Sequence, residues 1–365
     1  MIFYRTLFIM LLSYGSTLLG GHIPFSSKAW KIDARNHEIL EFEGREALKM
    51  KGGVAWLEDS NFTNGTIEFD FFMAGDRGFF GGIWRMTDRD NYEEFYVRPH
   101  NSGLADANQY TPVFNGMPGW QLYHGPQYGT AVTYNFNQWV HIKIVVSGTR
   151  AEIYINSQKP VLSVSELKMD VRVGRVGLSA GAFSHGHFSN FSYQSSDQPE
   201  MVGEAAPPKP APKNLIQNWS ISDAFAESNL EKKVVLTPEE IAERQWSPLT
   251  AEETGITNLA RLRKKTPEKD TVFAVVTLNA LESGVKELRF GYSDRARVYL
   301  NGQLIYSGTN GYRSRDYRYL GTMGLFDGLY LPLKKGPNQL ILAISESFGG
   351  WGVLATVEDR DQLIR

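Results

Sequence analysis

Polar and apolar residues alternate with a period of two along much of the chain. In "GTIEFDFFM", Ile67, Phe69 and Phe71 fall on one side, and Thr66, Glu68 and Asp70 on the other. This is the pattern of a half-buried strand. "WVHIKIVVSG" and "RAEIYINSQ" alternate likewise and are separated by "SGT", a hairpin signal. "GRVGLSAG" and "HFSNFSY" read as closing strands. Strands and turns at this spacing predict an antiparallel β-sandwich, with no amphipathic helix of ordinary length before residue 200.

Beyond it the pattern changes once and returns. "LTPEEIAERQ" predicts a short helix, with Thr237 as N-cap, Pro238 in the first helical position and Glu240 closing a capping box. "TVFAVVTLNA", "KELRFGYSD", "RARVYLNGQLIYSG" and "GLYLPLKKGPNQLILAISESFGGWG" are again β. Asn301-Gly302 supplies the positive φ angles of a type I′ hairpin turn. A second sandwich, of jelly-roll type, is expected. Between the two blocks, "AAPPKPAPKN" carries four prolines, which deny the backbone ladder hydrogen bonds and favour an extended spacer. The division expected is a sandwich at 22–200, a Pro-rich linker at 201–214 and a jelly roll at 215–365. The two blocks are free to dock on each other.

Residues 1–21 stand apart. Arg5 is followed by an apolar run from Thr6 to Leu12 and then by small residues, the layout of a secretory signal peptide. The run is too short to span a bilayer permanently, and a buried N-terminal helix is the bland alternative. The expected location is secreted, periplasmic or cell envelope, without stable membrane insertion. Composition narrows the classes further. With 42% hydrophobic and 21% charged residues a packed protein is expected. A net charge of −2 without a long basic run excludes counterion-releasing binding to nucleic acid. The absence of cysteine excludes disulfides and thiolate metal sites.

The candidate chemistry lies in "NYEEFYVRPH" and the polar stretch after it. On a regular strand Glu93, Phe95, Val97 and Pro99 point one way, and Tyr92, Glu94, Tyr96, Arg98 and His100 the other. Tyrosines interleaved with planar hydrogen-bonding groups suit a sugar, which offers apolar C–H faces and hydroxyls. A surface ion-pair array is the competing reading. "GWQLYHG" reads as a second strand, with Gln121 and Tyr123 on one face, and "GIWRMTD" contributes Arg85. The stretch between these strands, including Asp106, Gln109 and Tyr110, is read as an ordered loop of about twenty residues, a length usually functional. Glu68 and Asp70 share a strand face and could act as nucleophile and acid if about 5–5.5 Å apart. Glu94 is the other catalytic candidate. His185 and His187 have no third partner, so no metal site is assigned, and a structural Ca²⁺ ion is left open.

From "GTIEFDFF" through "GGIWRMTDRDNYEEFYVRP" and "NQWVHIKIVVSGTRAEIYIN" to "GRVGLSAGAFSHGHFSNFSY", the chain resembles the concanavalin A-like lectin/glucanase superfamily, which includes laminin G-like domains. The resemblance covers roughly residues 25 to 195 and implies ligands on the concave sheet or its rim loops. Laminarinase-like members carry three carboxylates in one strand. Glu68 and Asp70 match two of them, and Phe72 or Met73 stands at the third position. "FGYSDRARVYLNGQLIYSG" with "LKKGPNQLILAISESFGGWG" resembles the galactose-binding-like jelly roll. The function expected is binding of a poly- or oligosaccharide. A glycoside hydrolase or lyase, and a protein-interaction module, are the rivals.

Overall fold

The computed structural model describes residues 21–316 and 320–364, so the expected signal segment lies, except for Gly21, outside the described residues. The chain is almost entirely β, as the alternating pattern predicts. Its first twelve strands are β1 (Trp30–Phe42), β2 (Arg45–Leu57), β3 (Gly65–Phe72), β4 (Phe80–Asp88), β5 (Asn91–Val97), β6 (Asn108–Phe114), β7 (Met117–Pro118), β8 (Trp139–Ser147), β9 (Arg150–Ile155), β10 (Leu162–Val164), β11 (Arg175–Ala180) and β12 (Gly186–Ser195). They hydrogen-bond in the order β10-β9-β8-β3-β12-β2-β11-β4-β5-β6-β7, with β1 added on β2.

This sheet folds over on itself. Ile67, Phe69 and Phe71 of β3 and Ile142 and Ile144 of β8 share one buried cluster with Phe95 and Val97 of β5 and Tyr110 of β6. A period of two sends alternate residues of every strand into that cluster and the rest outward. The outward residues of β3 and β8 therefore emerge on one side, and those of β2, β11, β4, β5 and β6 on the other.

Ten further strands follow: β13 (Asn218–Ser222), β14 (Trp246–Thr250), β15 (Thr257–Asn258), β16 (Thr271–Ala280), β17 (Gly284–Ser293), β18 (Arg295–Leu300), β19 (Gln303–Thr309), β20 (Asp327–Leu333), β21 (Gly336–Ser345) and β22 (Gly352–Val357). They form a six-stranded sheet, β14-β13-β16-β21-β18-β19, and a four-stranded sheet, β15-β22-β17-β20. Val298 and Leu342 of the first pack with Phe290 and Val353 of the second in one core. The expected helix is the single turn Pro238–Ala242, with both halves of the Thr237–Glu240 capping box formed. Asn301 and Gly302 both have positive φ, as the hairpin between β18 and β19 requires. Among the described residues no helix is long and apolar enough to cross a membrane.

Candidate functional site

Cross-strand register defines the outward face around β5. One row runs Val54, Ser179, Gly81, Tyr96, Gln109, and the next runs Trp56, Gly177, Ile83, Glu94, Thr111. Directly opposed residues of antiparallel strands share a face, so each row is a strip across five strands. Glycine occupies one position in each. A Cβ on Gly81 would lie 1.8 Å from the Phe95 carbonyl oxygen, and one on Gly177 would lie 2.0 Å from that of Ala55. No side chain can rise there, and the face is a trough with a backbone floor.

Aromatic rings line this trough. Half-buried Trp56 and Tyr92 pack over Val54, Ile83 and Met86. Farther along, Phe79 meets Tyr96, His100 and Phe183 edge-on or tilted, at centroid distances of 5.6–5.7 Å. Phe183 is 56% exposed.

Polar groups stand between the rings. Half-buried Glu94 accepts the Ser179 hydroxyl at 2.5 Å. Burial pushes its carboxyl up to about 7, against the opposing pull of Ser179 and Arg98. Arg98 is buried. Its Nη2 donates to the Tyr96 hydroxyl at 2.8 Å and to Gln109 Oε1 at 2.5 Å, and its Nη1 donates to the Asp106 carbonyl at 2.8 Å. Burial also raises the Tyr96 hydroxyl to about 12, so it stays a neutral donor. Gln109 Nε2 in turn donates to the carbonyls of Trp120 and Tyr123. Exposed His100 accepts the Gly78 N–H at 3.4 Å, and burial with the charges of Arg77 and Arg98 lowers its pKa. Asp106 holds Asn101 Nδ2 at 2.9 Å.

The face-by-face reading of β5 therefore brings Tyr92, Glu94, Tyr96 and Arg98 together, with His100 at the rim beyond the strand. Four expected site residues lie elsewhere. Arg85 is fully buried at a positive-φ position, and its Nε and Nη2 donate to the Thr63 and Gly148 carbonyls and Asn64 Oδ1. Tyr110 lies on the opposite face of β6, in the core, and donates to buried Glu93. Gln121 and Tyr123 are fully buried against the later part of the chain. Gln121 Nε2 donates to the Leu320 carbonyl, and its Oε1 accepts the Ser293 hydroxyl at 3.0 Å. The Tyr123 hydroxyl donates to Glu252 at 2.5 Å and accepts from Asn258 at 3.2 Å.

Two expected elements also change. "GWQLYHG" is a turn, not a strand, because the Leu122 and Tyr123 N–H groups both bond the Gly119 carbonyl. The expected loop contains β6 (Asn108–Phe114), whose residues 108–113 pair with residues 92–97 of β5.

Glu68 and Asp70 do not join Glu94. They leave the core on the other side of the sandwich, beside Lys143 and His141 of β8. Asp70 is buried and bonded to Arg45, to Asn190 Nδ2 and to His141 Nδ1, the last two at 2.8 Å each. These partners hold its carboxyl below the usual range despite its burial. A carboxylate so engaged is neither a free nucleophile nor an acid at neutral pH. Trp56, Phe79, Ser179, Phe183 and His141 were not singled out in the sequence. "VAWLED" and "GLSAG" alternate visibly, but only the register tells which of their faces meets β5.

No protein-family model matches the chain, and no curated protein matches it. It is similar to several solved structures. One is the carbohydrate-binding module CBM66 from Bacillus subtilis, at 17% identity and a TM-score of 0.35, covering 46% of this chain and 96% of that one. Another is the Bacillus licheniformis β-glucanase, at 10% identity and 0.33, covering 48% and 98%. A third is the Caenorhabditis elegans galectin LEC-6, at 15% identity and 0.28, covering 44% and 99%. At these scores nothing about chemistry follows from them.

Proposed function

We propose that the trough across β2, β11, β4, β5 and β6 is the carbohydrate-binding face of a secreted or cell-envelope protein built of two sandwiches. The observation that carries this reading is the alternation of Trp56, Tyr92, Phe79 and Phe183 with Glu94, Ser179 and His100 over a glycine floor. Rings on an open face stack on sugar C–H surfaces, and fixed polar groups between them bond hydroxyls. The Arg98–Tyr96–Gln109 network acts as a rigid backing, since its donors are already committed within the protein. Glu94, Ser179, His100 and the rings are the groups that meet a ligand. Gln121 and Tyr123 serve instead in docking the second sandwich on the first.

A second reading has one observation behind it. Glu94, half protonated near neutral pH, has the property of a general acid on a glycosidic bond. One experiment separates the readings. The mature chain is screened on a glycan array beside Phe183→Ala and Trp56→Ala, and each hit is incubated with protein and checked for cleavage. Retained, intact glycan with weaker binding by both variants supports the binding face. Cleavage lost in Glu94→Gln makes the protein a hydrolase or lyase. A screen without hits overturns the carbohydrate reading and leaves protein docking.

A further inference from the structure

The trough ends at β6, and the groups that stand there come from both sandwiches. Gln109, opposite Tyr96 on β6, donates from its amide to the Trp120 carbonyl at 2.9 Å. The turn after β7 therefore rises on the trough's side of the sheet and carries Trp120 at its edge. The Trp120 ring centroid lies 6.2 Å from that of Phe348, which lies 5.9 Å from that of Tyr312, both in the second sandwich. Interplanar angles of 41° and 56° mean that no ring stacks flat on its neighbour. Exposed Arg313 holds its guanidinium 4.9 Å over the Tyr312 ring.

Packing between the sandwiches does not account for this cluster. The seam has its own apolar filling, since Leu122 and Met323 share one buried cluster. Trp120 and Tyr312 stay only half-buried beside it, and Phe348 is 51% exposed. Adjoining exposed rings with a charged rim mark an interaction site more often than a lone exposed ring does.

The rings are nevertheless held in place. Asp294 Oδ2 accepts the N–H of Ser347 at 3.0 Å and of Phe348 at 3.4 Å. The Gly349 carbonyl accepts the Gln121 N–H at 2.8 Å. Gly349 has a φ of 105°, and a Cβ there would lie 2.8 Å from Trp120 Cε2. Tyr312 follows buried Asn310, whose Nδ2 donates to the Tyr292 carbonyl at 3.2 Å. Rings presented on fixed loops lose little freedom when a ligand covers them.

We infer that Trp120, Phe348 and Tyr312 carry the trough onto the second sandwich, and that this composite site takes a long polysaccharide chain. The inference rests on the carbohydrate reading of the trough and names the length of glycan that it suits. A chain lying across β4, β5 and β6 meets Trp120 where the sheet ends and continues over Phe348 and Tyr312. The rings offer faces for sugar C–H surfaces, and Arg313 offers donors for hydroxyl or carboxylate oxygens. Contacts joined in one ligand reinforce each other, so a chain that reaches both sandwiches binds more tightly than a fragment that fills one.

The test passes the full mature chain over immobilised laminarin, xylan, chitin, cellulose and pectate. Each polysaccharide that retains it is followed by calorimetry with the corresponding disaccharide and hexasaccharide. The hexasaccharide is expected to bind at least about tenfold more tightly than the disaccharide. Phe348→Ala is expected to weaken the hexasaccharide about tenfold and to leave the disaccharide unchanged. Tyr312→Ala should act in the same direction, whereas Phe183→Ala in the trough weakens both lengths. Wild-type binding independent of length, or an equal loss at both lengths in Phe348→Ala, overturns the inference and leaves the carbohydrate reading standing. So does a Phe348→Ala protein with a lowered thermal midpoint and unchanged hexasaccharide affinity, which makes the rings part of the seam alone. Retention on none of the polysaccharides overturns both.

Discussion

Glu94 and Ser179 meet across a strand that stands between them. Their strands, β5 and β11, both pair with β4, and the 2.5 Å hydrogen bond passes over β4 where Gly81 leaves the space open. A side chain at 81 would collide with the Phe95 carbonyl oxygen. Gly81→Ala is therefore expected to damage both the sheet and the Glu94–Ser179 bond, and circular dichroism with a urea titration would show it as a large loss of stability.

Glu94 also carries a pH signature. Its carboxyl has a folded-state pKa of about 7, above the ordinary glutamate value of 4.5. The folded protein therefore holds its proton longer than the unfolded chain does, and stability from this group declines as pH rises from about 4.5 to 7. Glu94→Gln keeps an acceptor for Ser179 and cannot ionise. At pH 8 it is expected to be more stable than the wild type by about 1–2 kcal/mol, discounted from about 1.4 kcal/mol per unit because the group is only half buried. At pH 4.5 the two should coincide in urea unfolding. A wild type unaffected by pH over this window would refute the placement of Glu94. Buried Glu93, also raised to about 7 by burial, titrates in both proteins and leaves a common residual slope.

Arg98 and Phe183 should separate scaffold from site. Arg98→Ala leaves Gln109 Oε1 and the Tyr96 hydroxyl without their shared donor in a buried place. The expected cost is about 3 kcal/mol in chemical denaturation. Phe183 is mostly exposed, so Phe183→Ala should change stability by less than about 0.5 kcal/mol. If the trough binds sugar, the same change lowers affinity about tenfold, measured by calorimetry on an array hit.

Local rules made the strands legible and non-local ones hid part of the site. The alternation in "NYEEFYVRPH" correctly sent Phe95 and Val97 to the core and Tyr92, Glu94 and Tyr96 outward, because a strand's period is independent of its neighbours. The capping box at Thr237 and the Asn301-Gly302 turn are equally local. Arg85 departs from its expected face because its positive φ breaks the alternation at a bulge, and no residue type there announces it. The polar stretch at 108–114 reads as loop because it is rich in Asn, Gln and Tyr and lies between the turn signals "NSG" and "NG". Pairing with β5 and burial overrode that preference. Gln121 and Tyr123 resemble sugar ligands in sequence for the same reason that they serve in packing: both combine bulk with a hydrogen-bonding tip.

On the far side of the sandwich, Asp70 and His141 form a second titrating pair. The Asp70 carboxylate raises the His141 pKa through their hydrogen bond, and the Asp70 pKa is lowered. Stability from His141 is fully present below its unfolded value of 6.5 and disappears as pH climbs through the folded value. Stability from Asp70 is present above its unfolded value of 3.8 and disappears as pH falls through the folded value. The pair therefore contributes most between these limits, near pH 5. His141→Gln is expected to cost more at pH 5 than at pH 8.5, by about 0.5 kcal/mol or less since the imidazole is half exposed. Equal costs at the two pH values would show that the imidazole is not charged by Asp70.

A buried charge network lies at Glu252. Lys168, with a side chain 1% exposed, sits 3.1 Å from Glu252 and 2.8 Å from Glu166, and Arg261 reaches Glu252 at 3.2 Å. Tyr123 donates to the same carboxylate. Glu252 thus gathers two cations and a phenol from segments far apart in the chain. Removing one partner of a buried pair leaves the others desolvated and unpaired, a loss of about 3–5 kcal/mol. Glu252→Ala is expected to lose about that much and to unfold in two steps, since the bonds it holds join strands of the first sheet to the later sheets. Glu166→Ala removes only a half-exposed partner and should cost less than about 1 kcal/mol. Differential scanning calorimetry of the two variants would check this. A single sharp transition of wild-type midpoint in Glu252→Ala would mean that Tyr123 and Arg261 find other partners and that the network is not what couples the two halves.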